Sequence, residues 1–174
     1  MKLGNERAAV READAVIRRV GPDDWERLRD VRLRALTSDR EAFIETVENA
    51  RMFTEARWRE RATPTERNVT FVHERNGTFD AMVSAFVGDD ADTAYLVGMW
   101  VAPELRGTGV ARELVGCVID WSRGHGRARV VLSVKGGNTP AARLYEKCGF
   151  VELGEPPPLP YEPPRGERFY SYSL

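Results

Sequence analysis

Trp25, Leu28, Val31 and Ala35 recur three to four residues apart and keep one apolar face through Leu36, which predicts a helix. Gly21-Pro22-Asp23-Asp24 opens it, with proline in the first turn and two acids favoured by the helix dipole. A first strand is expected just before, over Ala15 to Val20. Thr37 to Asn49 reads as a connection anchored by Phe43 and Ile44, and a second short helix spans Thr54 to Arg61. The pattern then changes period. Val69 to Glu74 and Thr78 to Val87 alternate apolar and polar positions around Asn76-Gly77, a hairpin signal. A strand over Thr93 to Val101 follows, then a helix from Thr108 carrying Val110, Leu114, Cys117, Val118 and Trp121 at helical spacing. Arg129 to Val134 is a buried strand. A helix beginning at Asn138-Thr139-Pro140 ends at Gly149, and short strands are expected over Phe150 to Leu153 and Glu167 to Leu174. Met1 to Asp14 is polar and aperiodic and reads as a flexible tail, leaving 15–174 as one domain.

The joint between the Thr93 strand and the next helix holds the most chemistry. Arg106-Gly107-Thr108-Gly109-Val110-Ala111 turns a strand into a helix through glycines. Such a turn leaves backbone N–H groups unpaired at the positive end of a helix dipole, which suits a pyrophosphate, and Arg106 adds charge at the rim. Two familiar phosphate loops do not fit. A Walker loop needs a lysine that is missing, and the third glycine of a dinucleotide fingerprint is Arg112 here.

One strand later comes Asn138-Thr139-Pro140-Ala141-Ala142-Arg143-Leu144-Tyr145-Glu146-Lys147-Cys148-Gly149-Phe150. Together with Met99-Trp100-Val101-Ala102-Pro103 and the Arg106 loop, this segment resembles the GCN5-related N-acetyltransferase (GNAT) superfamily. The loop is similar to that family's Arg/Gln-x-x-Gly-x-Gly/Ala signature, and the helix to its Asn-x-x-Ala-x-x-Leu-Tyr-x-x-x-Gly-Phe signature. The resemblance extends from about Ala15 to Leu174. It implies an α/β (α+β) GNAT fold, a mixed sheet of six to seven strands with helices on both faces, in the order βααβββαβαββ.

It also implies acetyl-CoA as co-substrate, no metal, and transfer of the acetyl group to a primary amine of a small molecule by direct attack in a ternary complex. By resemblance the amides of Gly107, Thr108, Gly109, Val110 and Ala111, with Arg106, hold the pyrophosphate. The backbones of Met99 and Val101 hold the pantetheine arm at a bulge expected near Gly98, and the Val101 amide polarises the thioester carbonyl. Asn138 contacts the same arm and caps its helix. Tyr145 is the implied general acid; the alternative is a core aromatic with a hydrogen-bonded hydroxyl. The alternatives to a small-molecule enzyme are an acetyltransferase for protein N-termini or lysines, and a non-catalytic acetyl-CoA-binding module. Dimers are frequent in the family, so a homodimer is left open.

No base stands out. The strand Thr93 to Gly98 carries no glutamate, and Glu41, Glu45, Glu48 and Glu104 read as solvated charges. Arg27, Arg29, Arg32 and Arg34 read the same way, as the solvated face of the first helix. Glu155 to Pro164 is rich in proline, hence stiff and extended: a rigid connector, a wall of the acceptor pocket, or a polyproline ligand for a partner domain.

Composition narrows the partners. With 26 basic and 27 acidic residues the net charge is −1, which gives no global electrostatic case for nucleic acid or an anionic membrane. The chain has no long apolar run, and Met1 to Val10 is too polar for a signal peptide, so a cytoplasmic location is expected. Cys117 and Cys148 lack metal spacing and read as small buried hydrophobes, and His73 and His125 have no ligand partners in register.

Overall fold

Asn76 and Gly77 take positive φ values of 53° and 73°, as a two-residue hairpin turn requires. They join β2 (Asn68–Arg75) to β3 (Thr78–Val87), two neighbouring strands of a mixed sheet. The computed structural model describes residues 15–174, so the tail expected over 1–14 lies outside them. The elements run β1 (Val16–Arg19), α1 (Trp25–Ser38), α2 (Val47–Arg51), α3 (Glu55–Ala62), β2, β3, β4 (Thr93–Val101), α4 (Val110–Gly124), β5 (Arg129–Lys135), α5 (Thr139–Lys147), β6 (Val151–Leu153) and β7 (Glu167–Ser173). The seven strands form one sheet in the order β1-β2-β3-β4-β5-β7-β6. This is the expected fold with one more helix.

The extra helix is α2, which begins inside the expected connection and runs two residues past its end. Its N-cap Thr46 accepts from the Asn49 amide, a local signal too short to show as periodicity. Ile44, expected as an anchor, is 64% exposed. A 3-10 turn over Pro22–Asp24 precedes α1, where Asp24 turns its carboxylate back to the Gly21 N–H at 2.9 Å.

Helices cover both faces. Ala81, Val83, Ala85 and Val87 on β3 pack with Leu114, Val115 and Val118 of α4 in one core cluster. Val72, Met82 and Trp100 face Leu28, Val31 and Ala35 of α1 and Trp58 of α3 in the other. The alternation along β3 assigns its side chains to the two cores. Among the described residues, no helix is long and apolar enough to cross a membrane.

Two departures from regularity shape the centre of the sheet. The β3–β4 register shifts between Met82 and Ser84, which leaves Gly98 and Met99 opposite a single residue of β3, and Gly98 has φ 64°. This is the bulge expected there. The parallel β4–β5 pairing covers only Thr93–Tyr95 against Arg129–Val131. Beyond it the strands separate, while β5 stays paired with β7 out to Lys135. A notch opens between them.

Candidate active site

The notch is bordered by two adjoining cavities of about 560 and about 460 Å³. They share Phe43, Met99, Asn138, Ala141 and Leu144, so they form one cleft. The smaller reaches Arg106, Gly107, Gly109 and Arg112 at the start of α4. The larger extends to Arg32, Glu45, Phe86, Ser133, Tyr145 and Tyr161.

At the start of α4, Gly107 and Gly109 have φ values of 82° and 99°, a region that L side chains avoid, and a Cβ built on either would meet nothing within 4 Å. Gly109 caps α4 without any side-chain bond. Its carbonyl accepts the Glu113 amide at 3.1 Å, the first intrahelical bond. Among the described residues the N–H groups of Gly107, Gly109, Val110, Ala111 and Arg112 find no protein acceptor. Thr108 departs from the expectation. Its hydroxyl and its amide both turn inward to the Leu105 carbonyl, at 2.6 and 3.3 Å, and close the turn. The helix accordingly starts at Val110, not at Thr108.

Arg106 is tied inward as well. Its Nε donates to the Val101 carbonyl at 3.0 Å and its Nη2 to Asp39 at 2.9 Å. Asp39 also accepts from Trp100 Nε1 at 2.8 Å. Burial would raise the Asp39 pKa, but bonds from Ser38 and Trp100 and the charge of Arg106 outweigh it, so the pKa lies below the usual value. Arg112 went unnoticed in the sequence, where it stood only as a failed glycine; it is exposed and lines the same cavity.

The end of β4 supplies backbone donors. The Ala102 amide bonds the Asp80 carbonyl at 2.9 Å. In an antiparallel ladder bonded and non-bonded pairs alternate, so the next pair, Val101 with Ala81, is non-bonded. The Val101 N–H therefore points away from β3, toward the notch. Met99 lines both cavities.

Opposite, Asn138 caps α5 by accepting from the Ala141 amide at 3.3 Å, and Gly149 ends the helix at φ 94°. Thr139 is the first helical residue. The Tyr145 ring packs edge-on to Phe150, and burial pushes the phenol pKa up, with a smaller push from Cys148. Its hydroxyl makes no hydrogen bond among the described residues, and neither does that of the fully buried Tyr170.

The larger cavity overturns two expectations. Arg32 and Glu45 are not solvated charges. Arg32 is 7% exposed and donates to Glu45 at 2.8 Å, and Arg61 donates to the other Glu45 oxygen at 2.7 Å. Burial alone would raise the Glu45 pKa, but its two arginines outweigh this and lower it. Burial pulls Arg32 the other way, below the usual arginine value, against the charge of Glu45. Arg27 and Arg34 are also engaged, with Glu74 and the Phe79 carbonyl. Glu41, Glu48 and Glu104 are exposed, as expected.

The proline-rich segment folds over the same face. Tyr95 donates its hydroxyl to the Pro158 carbonyl at 3.1 Å, and Tyr161 lines the larger cavity. Of the three roles considered, a wall of this cavity matches where it lies. Cys117 and Cys148 are half-buried free thiols whose pKa values burial raises. Among the described residues no group of three or more His, Cys, Asp or Glu is placed to hold a metal.

This geometry has counterparts. The family model described as "Acetyltransferase (GNAT) family" matches residues 25–150. A mycothiol acetyltransferase of Beutenbergia cavernae is 34% identical over 97 residues, which cover 47% of this chain and 33% of that protein. The match thus spans about a third of the relative's length. The GNAT domain of S. lividans PAT superposes with a TM-score of 0.71 at 18% identity, over 92% of this chain and 90% of that one. The yncA structure from Salmonella typhimurium with its cofactor acetyl-CoA has a TM-score of 0.69 at 20% identity, over 93% and 95% of the two chains. At these identities the structures speak for the fold, and the family model for the lineage: the chain belongs to the GNAT acetyltransferase family.

Proposed function

We propose that the protein transfers the acetyl group of acetyl-CoA to a primary amine of a small molecule, by direct attack within a ternary complex. The observation that carries this reading is the cleft itself. Free amides at the start of α4, the open edge of β4 and the unpartnered Tyr145 hydroxyl all border one continuous space.

The residues fit the co-substrate. The amides of Gly107, Gly109, Val110, Ala111 and Arg112 form an anion cradle at a helix N-terminus, and Arg112 adds an accessible positive charge. Arg106 holds the cradle to β4 and brings its own charge near the rim. The open edge of β4 from Gly98 to Val101 can pair with an amide-bearing arm as a further strand would. The Val101 N–H lies where an oxyanion donor is needed, and Asn138 borders the same passage.

An alkylamine with an ordinary pKa of about 10.4 must lose a proton before it attacks. Its nitrogen forms the C–N bond at the thioester carbonyl, and the negative charge moves to the oxygen facing the Val101 N–H. When the C–S bond breaks, Tyr145 gives its proton to the departing sulfur. The tyrosinate is neutralised by the proton shed from nitrogen, relayed through water, so the products are an acetamide and a free thiol. Glu45 is held by two arginines and so is not free to act as a base, while Glu167, which lines the larger cavity from β7, makes no ion pair among the described residues.

Tyr161, Phe43 and Arg32 wall the half-open larger cavity, and the acceptor is read as a small molecule rather than a peptide. The Beutenbergia cavernae relative is named for the same reaction class, and its alignment covers too little of that protein to carry its acceptor across. Screening aminoglycosides, polyamines, amino acids and short peptides for acetyl-CoA-dependent thiol release tests the reading. Release with small amines is expected; release with peptides alone, or with nothing, would overturn it.

A further inference from the structure

Arg32 is an expensive residue to keep inside a protein, and its surroundings leave it incompletely matched. Its Nε donates to Glu45 at 2.8 Å and its guanidinium carbon lies 4.6 Å from the centre of the Phe43 ring. Nη1 is buried with no hydrogen-bond partner, and Nη2 makes no bond to protein among the described residues. A guanidinium offers its donors as a planar fork suited to a carboxylate, and only one of them is used. A buried charged donor without an acceptor is costly, so it marks a place where a ligand supplies one.

Its ion pairing is sparse. Arg32 and Arg61 share the single carboxylate of Glu45. Of the other charged groups on this cavity, Lys135 is paired with Glu41 at 3.1 Å, and Glu167 on β7 makes no hydrogen bond to Arg32. Position sharpens the point. Arg32 Nη1 is 3.5 Å from where a Cβ on Gly98 would sit, so it adjoins the bulge that borders the thioester carbonyl in the proposed reaction.

We propose that Arg32 determines specificity by receiving a carboxylate of the acceptor. The acceptor is then an amine whose carboxylate is one or two carbons from the reacting nitrogen, as in a free amino acid. This rests on the transferase reading above.

The test is acetyl-CoA-dependent thiol release by the full chain with three matched sets: free amino acids, their carboxamides, and the amines left after decarboxylation. The expected kcat/KM for the best acid exceeds that of its carboxamide by at least about 30-fold. In Arg32→Gln that ratio collapses toward one, and Arg32→Lys keeps part of it. Glu45 retains Arg61 in both variants, and thermal melts check that each is folded. If Arg32→Gln does not fold, the wild-type ratio alone decides. Carboxamides equal to acids, or an Arg32→Gln loss of the same factor on both, would overturn the proposal. Transfer to amines and carboxamides but to no acid overturns it while leaving the transferase intact. No transfer to any amine, with acetyl-CoA binding seen by calorimetry, overturns both.

Discussion

Arg106 Nε donates to the Val101 carbonyl at 3.0 Å, so the first residue of the glycine loop is fastened to the last residue of β4. The same guanidinium reaches Asp39, just past the end of α1. One side chain thereby sets the loop, the strand edge and the helix in register. Arg106→Ala removes the fastening and a nearby positive charge. Acetyl-CoA affinity should weaken about 10- to 100-fold, the size of one lost charged hydrogen bond. Titration calorimetry measures it, and unaltered affinity would remove Arg106 from the cradle.

Gly109→Glu places a side chain in open space at φ 99°. The backbone strain costs about 1–2 kcal/mol, while the carboxylate projects where a diphosphate would rest. Acetyl-CoA binding should be lost with only a modest drop in Tm. Binding retained at wild-type strength contradicts the cradle.

Tyr145→Phe deletes a hydroxyl that makes no hydrogen bond among the described residues, so stability should hold. Turnover should fall by about 10²-fold or more if the phenol supplies the proton to sulfur. Because burial raises its pKa, the phenol stays protonated through neutral pH, as an acid must. Equal turnover by both proteins would leave it as packing.

Asp24 accepts from Arg18, Arg27 and the Gly21 amide. The Arg18 bond, foremost, holds its carboxyl well below the usual carboxylate range, against an opposing effect of burial. A pKa lowered on folding means the charged form stabilises the fold above the unfolded value, near pH 4. That contribution fades as pH falls from there toward the folded value. Asp24→Asn should therefore lower Tm clearly at pH 7, and the gap to wild type should close below about pH 4. A gap independent of pH would assign the effect to packing.

The parts of this molecule written in local chemistry were readable in the chain. Asn76-Gly77 marked the hairpin, Gly98 the bulge, and Asn138 with Gly149 the two ends of α5, because each meets a backbone demand within a few residues. Thr108 misled for the same reason: polarity before a helix suggests an outward donor, while its nearest acceptor was the Leu105 carbonyl three residues back. Arg32 and Glu45 were missed because their partnership spans 13 residues of sequence and ends in α3 at Arg61. A signal did exist. Leu28, Val31, Arg32, Ala35 and Leu36 are the buried positions of α1, and Arg32 sits within that stripe at i+4 from Leu28. A charge in an apolar stripe merits more than a solvated reading.

Among the described residues, the ladder that joins the first four strands to the last three covers three residue pairs, Thr93–Tyr95 against Arg129–Val131. The sheet is a split plank whose rungs are missing at one end. A molecule bonded to both lips would stand in for those rungs and stiffen the halves against each other. Binding of acetyl-CoA should then slow amide exchange along Leu96 to Val101 more than in the outer hairpin, making the protein a frame that its ligand completes.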